Sequence, residues 1–128
     1  MARIGLVTLV VAEYDEAIAF YRDRVGFELV EDTDLGEGRR WVVVAPPGGA
    51  TTGVLLAKAS GLQQLARIGD QTGGRVALFL MTDDLAADHK RMTAAGVTFV
   101  EQPRVEAYGT VAVFEDLYGT RWDLIQPA

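Results

Sequence analysis

The sequence contains no cysteine, which removes disulfide frameworks, thiolate metal sites and cysteine nucleophiles together. Histidine occurs once, at His89. No apolar run approaches the roughly 18 residues that a membrane span requires, so a transmembrane helix is not expected. Basic residues are outnumbered, 12 Lys and Arg against 18 Asp and Glu, for a formal net charge of −6. Nucleic-acid affinity rests largely on neutralising phosphates with Lys and Arg, so neither DNA nor RNA is an expected partner. The opening MARIGLVTLVVAEYDE has one Arg before a short apolar stretch, with too little greasy core and no small-residue cleavage site for a secretion signal. It reads as a first strand, and the protein is expected to be cytoplasmic.

At 128 residues the chain has the usual size of one domain. Ile4 to Val11 is rich in Val and Leu and suits a strand buried on both faces. The period then changes: Tyr14, Ala17, Ile18, Tyr21 and Val25 make one apolar stripe at helical spacing, with Asp15, Glu16, Arg22 and Asp23 facing away. Gly26 ends this helix. Strands follow at Phe27–Glu31, Arg39–Ala45 and Thr52–Ala57, separated by a turn over Asp34–Gly38 and a loop from Pro46 to Gly49. Ser60, Leu62, Leu65 and Ala66 suggest a short capped helix, and Gly69–Gly74 a linker. The pattern then begins again, with strands at Arg75–Met81, Val97–Glu101, Thr110–Glu115 and Thr120–Ile125. A helix from Asp83 and Asp84 to about Ala94 is closed by Gly96.

The recurrence has a fixed offset. Gly96 minus Gly26, Glu101 minus Glu31, Val113 minus Val43 and Gly119 minus Gly49 each give 70. The expected fold class is α+β: two tandem β-α-β-β-β modules forming a cupped mixed sheet. Module one covers 1–58, a linker helix 59–72, and module two 73–128.

Two segments carry a resemblance to a known family. EYDEAIAFYRDRVGFELV (Glu13 to Val30) resembles the first helix and following strand of the vicinal oxygen chelate superfamily, which includes glyoxalases, extradiol dioxygenases and bleomycin-resistance proteins. FEDLYGTRWDLIQ (Phe114 to Gln126) resembles its closing motif. In metal-using members the resemblance implies one ligand from the first strand of each module, about 20 residues before the helix-ending glycine, and one from the last strand. The first-strand positions fall at Leu6 and Val76, with Arg75 as the neighbouring register. Aligning TTGVLLAK with GTRWDLIQ puts Leu55 opposite Asp123, which occupies the family's Glu position. One carboxylate facing aliphatics does not make the roughly three donors of a catalytic metal site. No metal and no cofactor are therefore expected.

Strand alternation then places candidate site residues. If Asp123 faces the cup, so do Arg121 and Ile125, together with Leu6, Thr8 and Val10 from the first strand and Val76, Leu78 and Leu80 from the fifth. Asp123 is read as a polar anchor or a general base, or as one half of an ion pair with Arg121 or Arg75. Trp41 and Phe114 on the middle strands are candidates to stack on a planar ligand, with the core as the other reading of either ring, and Tyr108 to reach over the cup mouth or merely to cover an edge. Arg39 and Arg40 read as a solvated strand end, with orienting an anion as the alternative. His89 reads as a helix residue packed behind the sheet, and Asp83 and Asp84 as helix-capping groups. The glycine clusters PPGGATTG and GDQTGG match neither the dinucleotide nor the P-loop spacing and read as loops.

The resulting expectation is a metal-independent protein that binds or sequesters a small organic molecule, cationic or planar aromatic, with antibiotic resistance as a role and a homodimer as its assembly. Whether the modules pair within one chain or across a dimer is open. The alternative is an enzyme of the same superfamily, a lyase, isomerase or dioxygenase, with Asp123 and Tyr108 as candidate catalytic groups.

Overall fold

The structure, a computed structural model, describes residues 1–49 and 52–128. Ala50 and Thr51 of the PPGGATTG loop lie outside them. The chain divides into two compact units, Met1–Ile68 and Gly69–Ala128. The division falls inside the expected 59–72 linker, so the short helix there goes with the first unit.

Unit one runs β1 (Leu6–Val11), α1 (Tyr14–Ala19), β2 (Glu28–Gly36), β3 (Arg39–Ala45), β4 (Gly53–Lys58) and α2 (Gly61–Leu65). Unit two runs β5 (Leu78–Met81), α3 (Leu85–Ala94), β6 (Thr98–Glu106), β7 (Gly109–Glu115) and β8 (Arg121–Pro127). Each holds a four-stranded mixed sheet, ordered β1-β4-β3-β2 and β5-β8-β7-β6. The outer pairs β1/β4 and β5/β8 are parallel and the rest antiparallel. The fold is α+β, with two four-stranded mixed sheets and few helices.

The apolar stripe explains the first helix. Tyr14, Ala17, Ile18, Tyr21 and Val25 are all buried, and α1 continues as a π-helical stretch, Phe20–Val25. It ends where Gly26 takes φ 97°, and the Gly26 and Phe27 N–H groups both donate to the Tyr21 carbonyl at 3.0 and 2.8 Å. Only glycine adopts that left-handed conformation without a Cβ penalty. Behind this helix lie Leu9, Val11, Val42, Val44 and Leu56, each buried. A fully buried side chain of this kind contributes roughly 1.5–3 kcal/mol.

β1 corrects one expectation. Leu9 and Val11 are buried, but Leu6 and Thr8 on the opposite face are exposed, so the strand is covered on one face rather than two. β2 and β6 run to residues 36 and 106, well past the expected strand ends at 31 and 101. The 70-residue offset relates β2 to β6 and β3 to β7 end for end. Leu55 and Asp123 face the equivalent Val43 and Val113, so from β4 to β8 the offset is 123 minus 55, or 68.

β5 is shorter than expected, beginning at Leu78, and its register corrects another assignment. Phe79 is the partner of Asp123, Leu78 of Trp122 and Leu80 of Leu124. Directly opposed residues share a face, and Trp122 and Leu124 are buried. Leu78 and Leu80 therefore lie on the core side. Phe79 and Met81, 60% and 57% exposed, share the open face with Asp123.

Candidate functional site

In unit one, β3 presents Trp41, Val43 and Ala45 on one face and Arg40, Val42 and Val44 on the other, as strand alternation dictates. Trp41 is 38% exposed. It lines a cleft of about 620 Å³ with Leu35, Leu55 and Ala57, while Glu37, Arg39, Arg40 and Lys58 supply charged atoms and Tyr14 and Gln64 polar ones. That volume lies within the usual range of small-ligand pockets.

Two of the three cations lining this cleft, Arg40 and Lys58, have ion-pair partners. Arg40 pairs with Asp32 at 2.7 Å and Asp15 at 2.8 Å, and its guanidinium lies 5.1 Å from the Tyr14 ring centroid. Hydrogen bonds to Asp32 and then Asp15 hold Arg40 more firmly protonated than usual, and Arg40 in turn lowers the Asp32 carboxyl. Lys58 pairs with Glu13 at 3.1 Å. Arg40 thus ties β2 and β3 to α1. Its alternative role of orienting an anion is taken up by these carboxylates.

In unit two, Asp123 lies between Val113 on β7 and Phe79 on β5. Burial pushes its carboxyl pKa up, Arg104 draws it back and Glu101 raises it further. The expected pairing with Arg121 or Arg75 is not formed: the Arg121 guanidinium is 4.0 Å from Glu115. Arg104 is held by Glu101 and Glu106. Among the described residues Asp123 has no ion pair. Arg121, Arg75 and Glu115 line a smaller pocket of about 270 Å³ at the start of β8.

Two more expected site residues lie in this unit. Tyr108 is exposed in the turn between β6 and β7, where its carbonyl accepts the Ala128 N–H at 3.1 Å. Phe114 is corrected: it has no exposed surface, stacks on Trp122 at 5.8 Å and 11°, and lies 5.6 Å from Phe99. Its side chain belongs to the core face, one residue out of phase with Val113, and cannot meet a ligand. Trp41 lines its cleft in unit one, and Asp123 and Arg121 share one face of β8 in unit two.

Phe79 and Met81 were missed because Val76 to Met81 is apolar at every position. Alternation has no polar contrast to read there, and the face is fixed only by the parallel pairing with β8. The remaining assignments are structural in character. Asp84 caps α3 by accepting the Ala87 N–H at 3.1 Å. His89 packs on Phe99 at 4.3 Å, with its Nε2 buried and unpartnered.

The donor set does not fit a metal ion. Leu6 and Leu55 carry hydrocarbon, and the register of β5 puts Ala77, rather than Val76, on the open face with Phe79. Among the described residues no group of three His, Cys, Asp or Glu side chains is placed to hold one. Among the described residues no helix is long and apolar enough to cross a membrane.

Comparisons with known proteins agree on the family. The model of the Glyoxalase/Bleomycin resistance protein/Dioxygenase superfamily matches residues 3–124. An uncharacterized protein of Shewanella frigidimarina is 54% identical over 121 residues, 94% of this chain and 90% of its own length. The crystal structure of UcmS2 is similar at a TM-score of 0.86 and 33% identity, covering 98% of both chains. That of TnmS3, an antibiotic binding protein from Streptomyces sp. CB03234, is similar at a TM-score of 0.80 and 30% identity, covering 100% of this chain and 98% of its own.

Proposed function

The chain belongs to the Glyoxalase/Bleomycin resistance protein/Dioxygenase superfamily, and on that premise we propose that it captures a small, planar organic molecule without a metal and without turning it over. The observation that carries this reading is the cleft beside Trp41: open, about 620 Å³, and walled by the Trp41 ring, Leu35 and Leu55 together with the charged side chains of Glu37, Arg39, Arg40 and Lys58. Such a surface gains affinity from apolar burial and ring stacking, and its charged and polar groups can orient the ligand. The likeness to an antibiotic binding protein supports a ligand of antibiotic type and a role in resistance. In unit two, Asp123, Arg121 and Tyr108 are the polar groups offered to a ligand. Absence of the metal-binding side chains at Leu6, Leu55 and Ala77 supports capture over metal-assisted chemistry.

The reading includes a cytoplasmic homodimer, supported by exposed apolar side chains such as Leu6, Phe79 and Met81. One observation favours the rival reading, an enzyme of the same superfamily: burial raises the Asp123 pKa, as a general base requires.

The test uses intrinsic fluorescence. Trp122 is buried while Trp41 is exposed, so a ligand in the cleft quenches one tryptophan selectively. Titration with bleomycin, daunorubicin and quinacrine is expected to give saturable quenching with at least one of them, abolished by Trp41→Phe. Flat titrations with all three, or quenching that survives Trp41→Phe, would overturn the cleft as the binding site.

A further inference from the structure

We infer that unit two holds a phosphoryl-binding site where the linker meets the β7–β8 turn, with the Arg75 and Arg121 guanidiniums and the Thr120 hydroxyl as its donors. The site goes beyond the capture reading and stands without it: none of Trp41, Asp123, Phe79 and Met81 lines this pocket.

Three observations carry it. First, the pocket has a fixed wall. Gly69 takes φ 76°, and a Cβ there would collide with the Tyr118 carbonyl, so the linker backbone lies against the β7–β8 turn at a distance that only glycine permits. The enclosed volume of about 270 Å³ is below the usual range for drug-sized ligands and suits a small group. Second, the charged side chains lining it are two arginines and one glutamate. Among the described residues Arg75 has no ion pair, and Arg121 approaches Glu115 only at 4.0 Å, too far for a hydrogen bond. Third, Thr120 is 3% exposed and its Oγ1 is buried without a hydrogen-bond partner among the described residues. Its backbone is engaged, since its N–H donates to the Asp116 carboxylate and its carbonyl accepts the Asp116 N–H, each at 2.9 Å. A buried hydroxyl without an acceptor is costly, and an oxyanion in the pocket supplies the acceptor. The class of anion follows from Glu115. A monocarboxylate at Arg121 only exchanges one carboxylate for another. A dianionic phosphoryl group, with three terminal oxygens, accepts from Arg75, Arg121 and Thr120 together.

The experiment is a 1H–15N NMR titration at constant ionic strength, with inorganic phosphate, phenyl phosphate and acetate in separate arms. Both phosphates are expected to give saturable shifts at the amides of Gly74, Arg75, Thr120 and Arg121, and acetate to bind about tenfold more weakly. Equal affinity for the two phosphates would assign the site to the free ion, and tighter binding of phenyl phosphate to the phosphoryl end of an organic molecule. Arg75→Gln, at an exposed position, is expected to weaken both phosphates about tenfold, and Trp41→Phe to change neither. Thr120→Val is expected to weaken phosphate about fivefold while raising the Tm of the free protein, because it removes a buried hydroxyl that has no partner. A hydroxyl with only a structural role would not move the two readouts in opposite directions. Shifts that grow without saturation, acetate binding as tight as phosphate, or phosphate affinity unchanged in Arg75→Gln or in Thr120→Val would overturn the inference. The dispersion of the variants' amide spectra reports that they fold.

Discussion

Asp123 is held between Val113 and Phe79, and burial is the largest influence on its carboxyl. An acid whose folded pKa lies above its unfolded value contributes stability while protonated; that contribution is complete below the unfolded pKa, about 3.9, and is lost as pH rises through the folded one. Ionised Asp123 therefore works against the fold at neutral pH. Asp123→Asn is expected to leave the Tm at pH 7 unchanged or slightly raised, and the difference to vanish below about pH 3.5. A clear fall in Tm at pH 7 would show that the carboxylate is a structural partner. The Asp32 carboxyl has the opposite sign. Arg40 lowers its pKa, so the pair stabilises the fold above the unfolded Asp pKa and loses that effect as pH falls through the folded one. Both side chains keep contact with solvent, at 25% and 31% exposure, which holds the contribution toward the small range of surface pairs. Arg40→Gln should flatten the acid side of the Tm–pH curve, and an unchanged curve would remove the pair from the stability account.

At the scale of elements, β3 is joined to the first helix by the Arg40–Asp15 ion pair and by a hydrogen bond that a single atom controls. The Arg40 N–H donates to the Tyr14 hydroxyl at 3.1 Å in a part-buried position. Tyr14→Phe keeps the ring under the guanidinium but removes the acceptor, and a loss of about 1 kcal/mol is expected in chemical denaturation. A loss near zero would mean that water replaces the hydroxyl. The same scale shows why some of the architecture was legible and some was not. The stripe from Tyr14 to Val25 was readable because polar residues separate its apolar positions, and β3 because glycine and proline bound it. β5 was misregistered because no polar residue interrupts its apolar run, so which face bears Phe79 was left to pairing with β8. Phe114 was placed toward a ligand for a related reason: Val111 to Phe114 offers no polar contrast, and only its stacking on Trp122 reveals the core side. Asp123 stands on the face opposite Trp122 and Leu124, its larger apolar neighbours, which take the core.

Across the whole molecule, two units of one topology have diverged at equivalent places. Where unit two has Asp123 facing Val113, unit one has Leu55 facing Val43. The first unit carries an aromatic cleft in which Arg40 and Lys58 are paired with carboxylates, and the second carries Asp123, which has no ion pair among the described residues. This asymmetry follows from a few side chains on a shared backbone plan, which is why the fold could be read from the sequence far more fully than the ligand. Assembly is tested at this scale: light scattering after size exclusion is expected to give twice the 13.9 kDa chain mass, and a monomer at micromolar concentration would contradict the homodimer.

The central claim is stoichiometric capture without chemistry or metal. Its most direct test is to incubate protein treated with EDTA, and desalted, with an excess of whichever probe quenches Trp41, and then to measure bound and total ligand by equilibrium dialysis with mass spectrometry. Saturation with the entire ligand pool recovered at unchanged mass is the predicted result. A product that accumulates beyond the protein concentration, or binding that returns only when a divalent metal is restored, would contradict it.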